Sequence, residues 1–512
     1  MTRLLISRIV CLLLIISPMT AWAEEKPNII LIMADDLGWA DVGFNGNKII
    51  KTPHLDQMAK EGLVMKRFYA ASAVCSPTRA SCLTGRSPYR TGVFYANTGI
   101  LRPEEITLPE ILRTQGYLNG HFGKWHLGTL TTKQKDANRA RPGNFKLFNP
   151  PSLHGYDTCF VTESKVPTYD PVKEPIQYRK GESRNLGWKP IKKGQPFKHY
   201  GTHFWDIKGN LVQNNLEGDA SKVVMDRVLP FIENAVEKNK PFLSVIWFHA
   251  PHLPCVAGPK YQKMYEKYPL QMRNYAGCIT AMDEQIGRLR ARLKTLGVAE
   301  NTMIWFCSDN GPEGNAKSPG RATPFRGRKR DLREGGIRVP GLLVWPSKIK
   351  KPRITHQPCV TYDYLPTILD ILKIKHPKEN YQIDGVSLLP LIQGHPIKRG
   401  DFYQMIKQKF AAQSQQYKLI SFDGGKTMAL YDIVKDQRET TDLAKAKPQI
   451  VKHMKQRFDH WYNNVEDSFQ GKEYGKKSYK RLRQKWQGAK EYAKSKKKQP
   501  RKNRTTINKV TR

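Results

Sequence analysis

Acidic residues are scarce in this 512-residue chain. There are 45 Asp+Glu against 86 Lys+Arg, a formal charge of +41. A chain so short of negative charge seeks polyanions: nucleic acid, acidic lipid or acidic glycan. No Cys-x-x-Cys pair is present, which argues against a cysteine zinc site. Eight cysteines occur. Setting Cys11 aside leaves seven, an odd number, so at least one stays unpaired if the others form disulfides. Cys278 and Cys307 fall in apolar stretches and read as buried thiols. No internal repeat is visible, and beyond the N-terminus no apolar run approaches the ~20 residues of a membrane span.

The first 23 residues have a composition of their own. Arg3 and Arg8 precede an apolar run from Ile9 to Ile16, and Ala21-Trp22-Ala23 precedes Glu24. A positive flank, a short apolar core and an A-x-A site predict a cleavable signal peptide, cut after Ala23. The expected destination is secreted or periplasmic, with no transmembrane anchor. There an acidic glycan is a better partner than nucleic acid. The far end is distinct too: residues 471–512 carry 17 Lys+Arg against Glu473 and Glu491 and read as a basic, disordered tail.

Between these ends, apolar β-branched runs alternate with helical periodicity. Strands are expected at 28–33, 242–248, 302–307 and 341–345, and helices at 108–116, 220–238, 275–296 and 361–372. Such alternation predicts an α/β fold: a large mixed, mostly parallel sheet flanked by helices. Ligands gather at the carboxyl ends of strands in such sheets. The catalytic α/β domain spans 24–400. Its stretch 127–215, rich in Pro, Gly, Lys and Tyr, reads as a loop-rich insertion. Strands at 417–421 and 429–433 with a terminal helix predict a smaller C-terminal α+β subdomain over 401–470.

Four clusters carry chemistry. Cys75-Ser-Pro77-Thr-Arg79 runs through Leu83-Thr-Gly85-Arg86 as a loop opening a helix, with Pro77 in the first turn and Gly85 at the stop. A helix N-terminus of this kind can bind an anion. Asp35-Asp36 ends the first strand, and Asp309-Asn310 ends the 302–307 strand. Adjacent carboxylates repel unless a cation intervenes, and an all-oxygen donor set suits Ca²⁺ or Mg²⁺. Lys124 and His126 lie in Gly-Lys-Trp-His-Leu-Gly. His249 and His252 follow the 242–248 strand, and Lys329 lies between Arg328 and Arg330.

These strings resemble the sulfatase family, whose C-x-P-x-R and LTGR signature matches Cys75, Pro77, Arg79 and Leu83–Arg86. The resemblance extends over roughly 26–443. It implies an alkaline-phosphatase-like fold and hydrolysis of sulfate esters at sulfur. In that family the cysteine matching Cys75 is oxidised to formylglycine, whose hydrate attacks sulfur, so a formylglycine-generating enzyme is an implied partner. The resemblance further implies Ca²⁺ on Asp35, Asp36, Asp309 and Asn310, and a sulfate grip from Lys124, Lys329 and His252. His252, with Lys329, would protonate the leaving oxygen, His126 would regenerate the aldehyde, and Arg79 would orient the hydrate. His249 is the weaker match and reads as structural.

Arg328 and Arg330 depart from the family pattern, in which small residues flank the lysine. The departure points either to a different loop conformation or to a more anionic substrate. The insertion carries Lys133, Lys135, Arg139, Arg141, Lys189, Lys192 and Lys193 among Tyr169, Tyr178, Trp188 and Tyr200. That mixture suggests a sulfated polysaccharide or oligosaccharide substrate. The alternatives are an arylsulfatase acting on small esters, a phosphatase or phosphodiesterase of the same superfold, and a non-catalytic glycan-binding protein. Against the phosphatase stands a cysteine where Ser or Thr is usual, with only one evident metal cluster.

Overall fold

The computed structural model describes residues 26–177, 188–192, 194–379, 381–478 and 480. The expected signal peptide, most of the basic tail, Tyr178 and Lys193 lie outside the described residues.

Ile29–Ala34 is an unbroken apolar run, and Asn28–Ala34 becomes a strand buried on both faces. Ile29, Leu31 and Met33 enter one core cluster; Ile30, Ile32 and Ala34 enter another. The two-residue period therefore divides one strand between two layers of core. Around it Thr302–Ser308, Phe242–Trp247, Leu118–Lys124 and Thr158–Thr162 form the parallel centre of a ten-stranded sheet. Gly341–Val344 joins antiparallel on one side and Phe204–Asp206 on the other, so the sheet is mixed. Helices Ala220–Glu237 and Leu270–Thr295 cover one face through Val224, Val228, Ile279 and Met282. Helices Cys75–Thr84 and Tyr364–Ile371 cover the other through Ala80, Leu83, Leu365 and Ile368. Close strand packing needs a glycine at Gly123: its φ is +95°, and a Cβ there would sit 2.1 Å from the Trp247 carbonyl oxygen.

Three expectations are corrected. The 127–215 stretch is not only loop, because Thr158–Thr162, Phe204–Asp206 and Leu211–Val212 extend the main sheet. The helix expected from residue 275 begins at Leu270. The C-terminal subdomain has four antiparallel strands instead of two: Phe402–Ile406, Lys409–Gln413, Tyr417–Ser421 and Ala429–Asp432. Charged and amide residues punctuate the first two of these strands, which hides their alternation from a sequence reading.

One face of that sheet packs Phe410, Leu419 and Leu430 under helix Pro448–Phe469, against Met454 and Phe458. The other face presses Ala411 and Ile420 against Tyr69 and Val360 of the larger domain. Lys418, wholly buried, ties the two together, with Nζ 3.0 Å from Glu334 and 2.9 Å from Glu439. The first turn of the basic tail, Lys472–Tyr474, is ordered. Glu473 pairs with Arg86 and Tyr474 bonds Glu105. Among the described residues no helix is long and apolar enough to cross a membrane, and all seven cysteines there are buried free thiols.

Candidate active site

Five neighbouring parallel strands run in one direction, so their carboxyl ends form one rim. Asp35 and Asp36 follow Ala34, Asp309 and Asn310 follow Ser308, and His249 and His252 follow Trp247. Lys124 closes its strand with His126 just beyond, and Glu163 and Ser164 follow Thr162. Helix Cys75–Thr84 points its first residue into this rim, where Val74 supplies an extended N-cap and Gly85, at φ +67°, ends the helix. The ten site residues expected from sequence are thus brought to one place. Cys75, Lys124, His126, His252 and Lys329 line a cavity of about 590 Å³. Asp35, Asp36, Asp309, Asn310 and Arg79 are buried.

Each carboxylate has its own cation. Lys124 Nζ lies 2.7 Å from Asp35, Lys329 Nζ lies 2.6 Å from Asp36, and Arg79 Nη2 lies 2.6 Å from Asp309. Burial alone would raise Asp35, but Lys124, His252 and Arg79 hold it well below the usual carboxylate range. Asp309 goes the other way: burial, and then the Asp35 charge, push it up to about 7 against the pull of Arg79. Asp36 has φ +67° and donates its backbone N–H to Asp309 Oδ1 at 3.0 Å.

Two buried oxygens in this cluster, Asp35 Oδ1 and Asn310 Oδ1, have no hydrogen-bond partner. Orphaned acceptors beside three carboxylates are costly unless a cation takes them. Carboxylate and amide oxygens predominate here, with a single thiol and a single imidazole within reach, and that donor set fits a hard divalent ion. The candidate ligand groups, Asp35 with Cys75 and Asp309 and Asp35 with Asp36 and His252, share Asp35 and so form one centre.

Cys75 is 2% exposed, and burial raises its thiol pKa although Lys124 and Lys329 pull the other way. As a thiol it is therefore not a ready nucleophile. His252 Nδ1–H donates to the Leu253 carbonyl, 2.7 Å away, and its Nε2 lies 3.5 Å from Asp36. Burial brings it down to about 4 despite the nearby carboxylates. His249 bonds Thr162 Oγ1 at 2.8 Å and does not line the cavity.

Asn97 is a site residue that the sequence reading missed. Its Oδ1 lies 2.8 Å from His126 Nε2 and also accepts the Asn138 amide at 3.3 Å. An oxygen that accepts from Asn138 leaves His126 Nε2 as the protonated nitrogen, and Nδ1 then carries a lone pair with no protein partner. Asn97 and His126 both have positive φ, 59° and 61°. The only local hint in sequence was the Asn97-Thr-Gly turn, far from any recognised motif.

The insertion meets the cavity through Asn138, Ser164 and Lys165. Lys133, Lys135, Arg139, Arg141, Lys189 and Lys192 do not line it. Arg139 is instead consumed in a 2.7 Å pair with Glu163.

The site is a cavity lined by Lys124, Lys329, His126 and His252 at the strand ends of a doubly covered α/β sheet, over a buried carboxylate cluster. The chain belongs to the sulfatase family: the Sulfatase family model matches residues 27–374. A second model, N-sulphoglucosamine sulphohydrolase, C-terminal, matches 327–464, so that unit starts in the Lys329 loop. The chain is 31% identical over 415 residues to N-acetylgalactosamine-6-sulfatase of Rattus norvegicus, covering 78% of this chain and 72% of the relative. Arylsulfatase A of Bos taurus is also 31% identical, over 79% of this chain and 76% of its own. Among solved structures, Ps i-CgsB in complex with k-i-k-neocarrahexaose superposes with a TM-score of 0.71 at 27% identity, covering 85% and 93% of the two chains. The protein is a sulfuric ester hydrolase. Sulfatases in general use a metal ion and formylglycine, and the Asp-rich centre is where this chain could hold the ion.

Proposed function

We propose that the protein removes sulfate from sulfated saccharides, using formylglycine made from Cys75 and one Ca²⁺ held by Asp35, Asp36, Asp309 and Asn310. The observation that carries the reading is the position of Cys75. It heads a helix in a cationic cavity, beside the Asp35 and Asp309 carboxylates, where Asp35 Oδ1 and Asn310 Oδ1 have no hydrogen-bond partner among the described residues. The names of N-acetylgalactosamine-6-sulfatase and of the neocarrahexaose complex support a saccharide substrate. A signal peptide ending at Ala23 supports a secreted or periplasmic setting, and a formylglycine-generating enzyme is the implied partner.

The bound cation would supply Lewis acidity at a sulfate oxygen and offset charge developing on it. The remaining work falls to the chain's own side chains. Lys124, Lys329 and His252 converge as donors on the sulfate. Arg79 fixes Asp309 and Asp35 through its guanidinium. In the free site His252 is neutral with its proton on Nδ1. Its Nε2, backed by Lys329, hands a proton to the departing oxygen only once the bound sulfate's charge has protonated the ring, and His126 takes one up through Nδ1.

The test is sulfate release from a panel of sulfated oligosaccharides and aryl sulfates, with and without chelator, alongside mass spectrometry of the tryptic peptide ending at Arg79. The reading expects aldehyde or hydrate at Cys75 and release that depends on the cation. An active protein with wholly unmodified Cys75 would sink the mechanism. Preference for small aryl sulfates across the panel would sink the saccharide assignment.

A further inference from the structure

Arg328 and Arg330 flank the sulfate-gripping Lys329, and they end in different places. Arg328 turns away from the cavity: its Nη1 donates to the Gly320 carbonyl at 2.9 Å and its Nη2 to the Glu313 carbonyl at 2.8 Å. It braces the 313–320 loop and does not line the cavity.

Arg330 lines the same cavity as Cys75 and Lys124, and its side chain is 49% exposed. Two anchors hold it there. Its backbone N–H donates to the Ala73 carbonyl at 2.8 Å, two residues before Cys75. Its Nη1 and Nη2 grip Glu313 Oε1 and Oε2 at 2.7 and 2.8 Å. Between the anchors the backbone sits at φ +73°, a conformation an arginine adopts only when its surroundings impose it.

Glu313 occupies only one edge of the guanidinium. The group is a planar fork of five N–H donors with two usable edges, end-on between Nη1 and Nη2 and side-on between Nε and Nη2. Glu313 takes the end-on edge. Among the described residues Nε has no hydrogen-bond partner, so the side-on edge is the one left for solvent or ligand. Glu313 is the one carboxylate lining the cavity, and it is already committed, since Lys329 Nζ also lies 3.6 Å from it.

We propose that Arg330 forms a second anion subsite beside the sulfate pocket. Its Nε–Nη2 edge receives a further sulfate or carboxylate carried by the same substrate molecule. The proposal rests on the saccharide sulfatase reading and narrows it: the preferred substrate is a doubly anionic sugar whose second charged group lies close to the sulfate that is cleaved. Glu313 serves this subsite as a positioning residue, because it fixes the plane of the fork. A bidentate charge-assisted contact of this kind is worth tenfold or more in affinity.

The experiment compares kcat/KM on a matched pair of sulfated saccharides, identical except for a second sulfate or carboxylate on a carbon neighbouring the scissile ester. Both sulfate and carboxylate versions are assayed. The wild-type protein is expected to favour the doubly anionic member at least tenfold. In Arg330→Gln that preference should collapse towards unity, chiefly through KM on the doubly anionic substrate. Arg330→Lys, which keeps the charge without the fork, should fall between, and Glu313→Gln should lower the preference by loosening the fork. Arg330→Gly, which suits the positive φ, gives a second deletion should the glutamine variant fold poorly by thermal unfolding. A preference that survives in Arg330→Gln and Arg330→Gly overturns the subsite, as does a wild-type protein that cleaves both members equally well. A wild-type protein that releases sulfate from neither, while cleaving aryl sulfates, overturns the saccharide reading itself.

Discussion

Arg79 Nη2 lies 2.6 Å from Asp309 Oδ2 and 3.5 Å from Asp35 Oδ1, and all three side chains are wholly buried. One guanidinium thus bridges the ends of two adjacent strands and stacks 5.1 Å from the Trp247 ring, which restricts its movement. Removing one partner of a buried ion pair leaves an uncompensated charge, which costs about 3–5 kcal/mol. Arg79→Met is therefore expected to lose stability of that order, measured as the denaturant midpoint, and to lose sulfate release. A variant as stable as the wild type would contradict the bridging role.

The same cluster makes stability depend on the cation. A ligand that binds only the folded state adds about 2.7 kcal/mol at a hundredfold excess over its Kd. Chelation is expected to lower the melting temperature, and calcium to restore it. Asp35→Asn should blunt both responses, because it removes a carboxylate charge from the candidate ligand set. A melting temperature indifferent to chelator and to added calcium would remove the metal from the account.

Asn97 touches the ring of His126 and none of the groups expected to grip sulfate. Asn97→Ala should therefore lower kcat about ten- to hundredfold with little change in KM, since a mispositioned proton-handling group slows chemistry more than binding. Nitrogen NMR of His126 gives an activity-independent check. The wild-type ring should carry its proton on Nε2, and the variant should show a tautomer mixture.

Acid should destabilise the fold through its buried neutral histidines. His121 is enclosed edge-on by Trp125, Tyr156 and Trp247, and burial brings its pKa down to about 3. His154 and His249 are likewise brought down to about 3 by burial. The unfolded chain takes up these protons below about pH 6.5 while the folded chain does not. Stability is therefore complete above pH 6.5 and falls as pH drops towards 3, at about 1.4 kcal/mol per pH unit for each group. His121→Phe keeps an aromatic ring in the cage. Between pH 7 and 5 it should lose ~2 kcal/mol less than the wild type in urea titrations. Equal losses would place the acid sensitivity elsewhere.

Much of this protein could be read from its sequence, for identifiable reasons. Asn28–Ala34 and Phe242–Trp247 are apolar but for Asn28 and Ser244 because both faces of a central parallel strand are buried. The charged words that follow them stand out against that background. The Cys75 helix was equally legible, because its start and stop use local signals, Pro77 and Gly85. The strands Phe402–Ile406 and Lys409–Gln413 were not, because their partners are each other and a helix nearly fifty residues away.

The sequence by itself determined the kinds of chemistry available: paired carboxylates, a cysteine at a helix start, and cations in excess. It also determined the strand ends on which they ride, because strand propensity and burial period are local properties. Only the tertiary structure decided which cation meets which carboxylate, that Asn97 holds His126, and that Arg328 is spent on backbone carbonyls while Arg330 faces the cavity. Those outcomes depend on distances between segments up to 293 residues apart in the chain, as between Asp36 and Lys329. Hydrogen bonds and ion pairs act over a few ångströms, so the sequence names the partners and only the packing brings them within range.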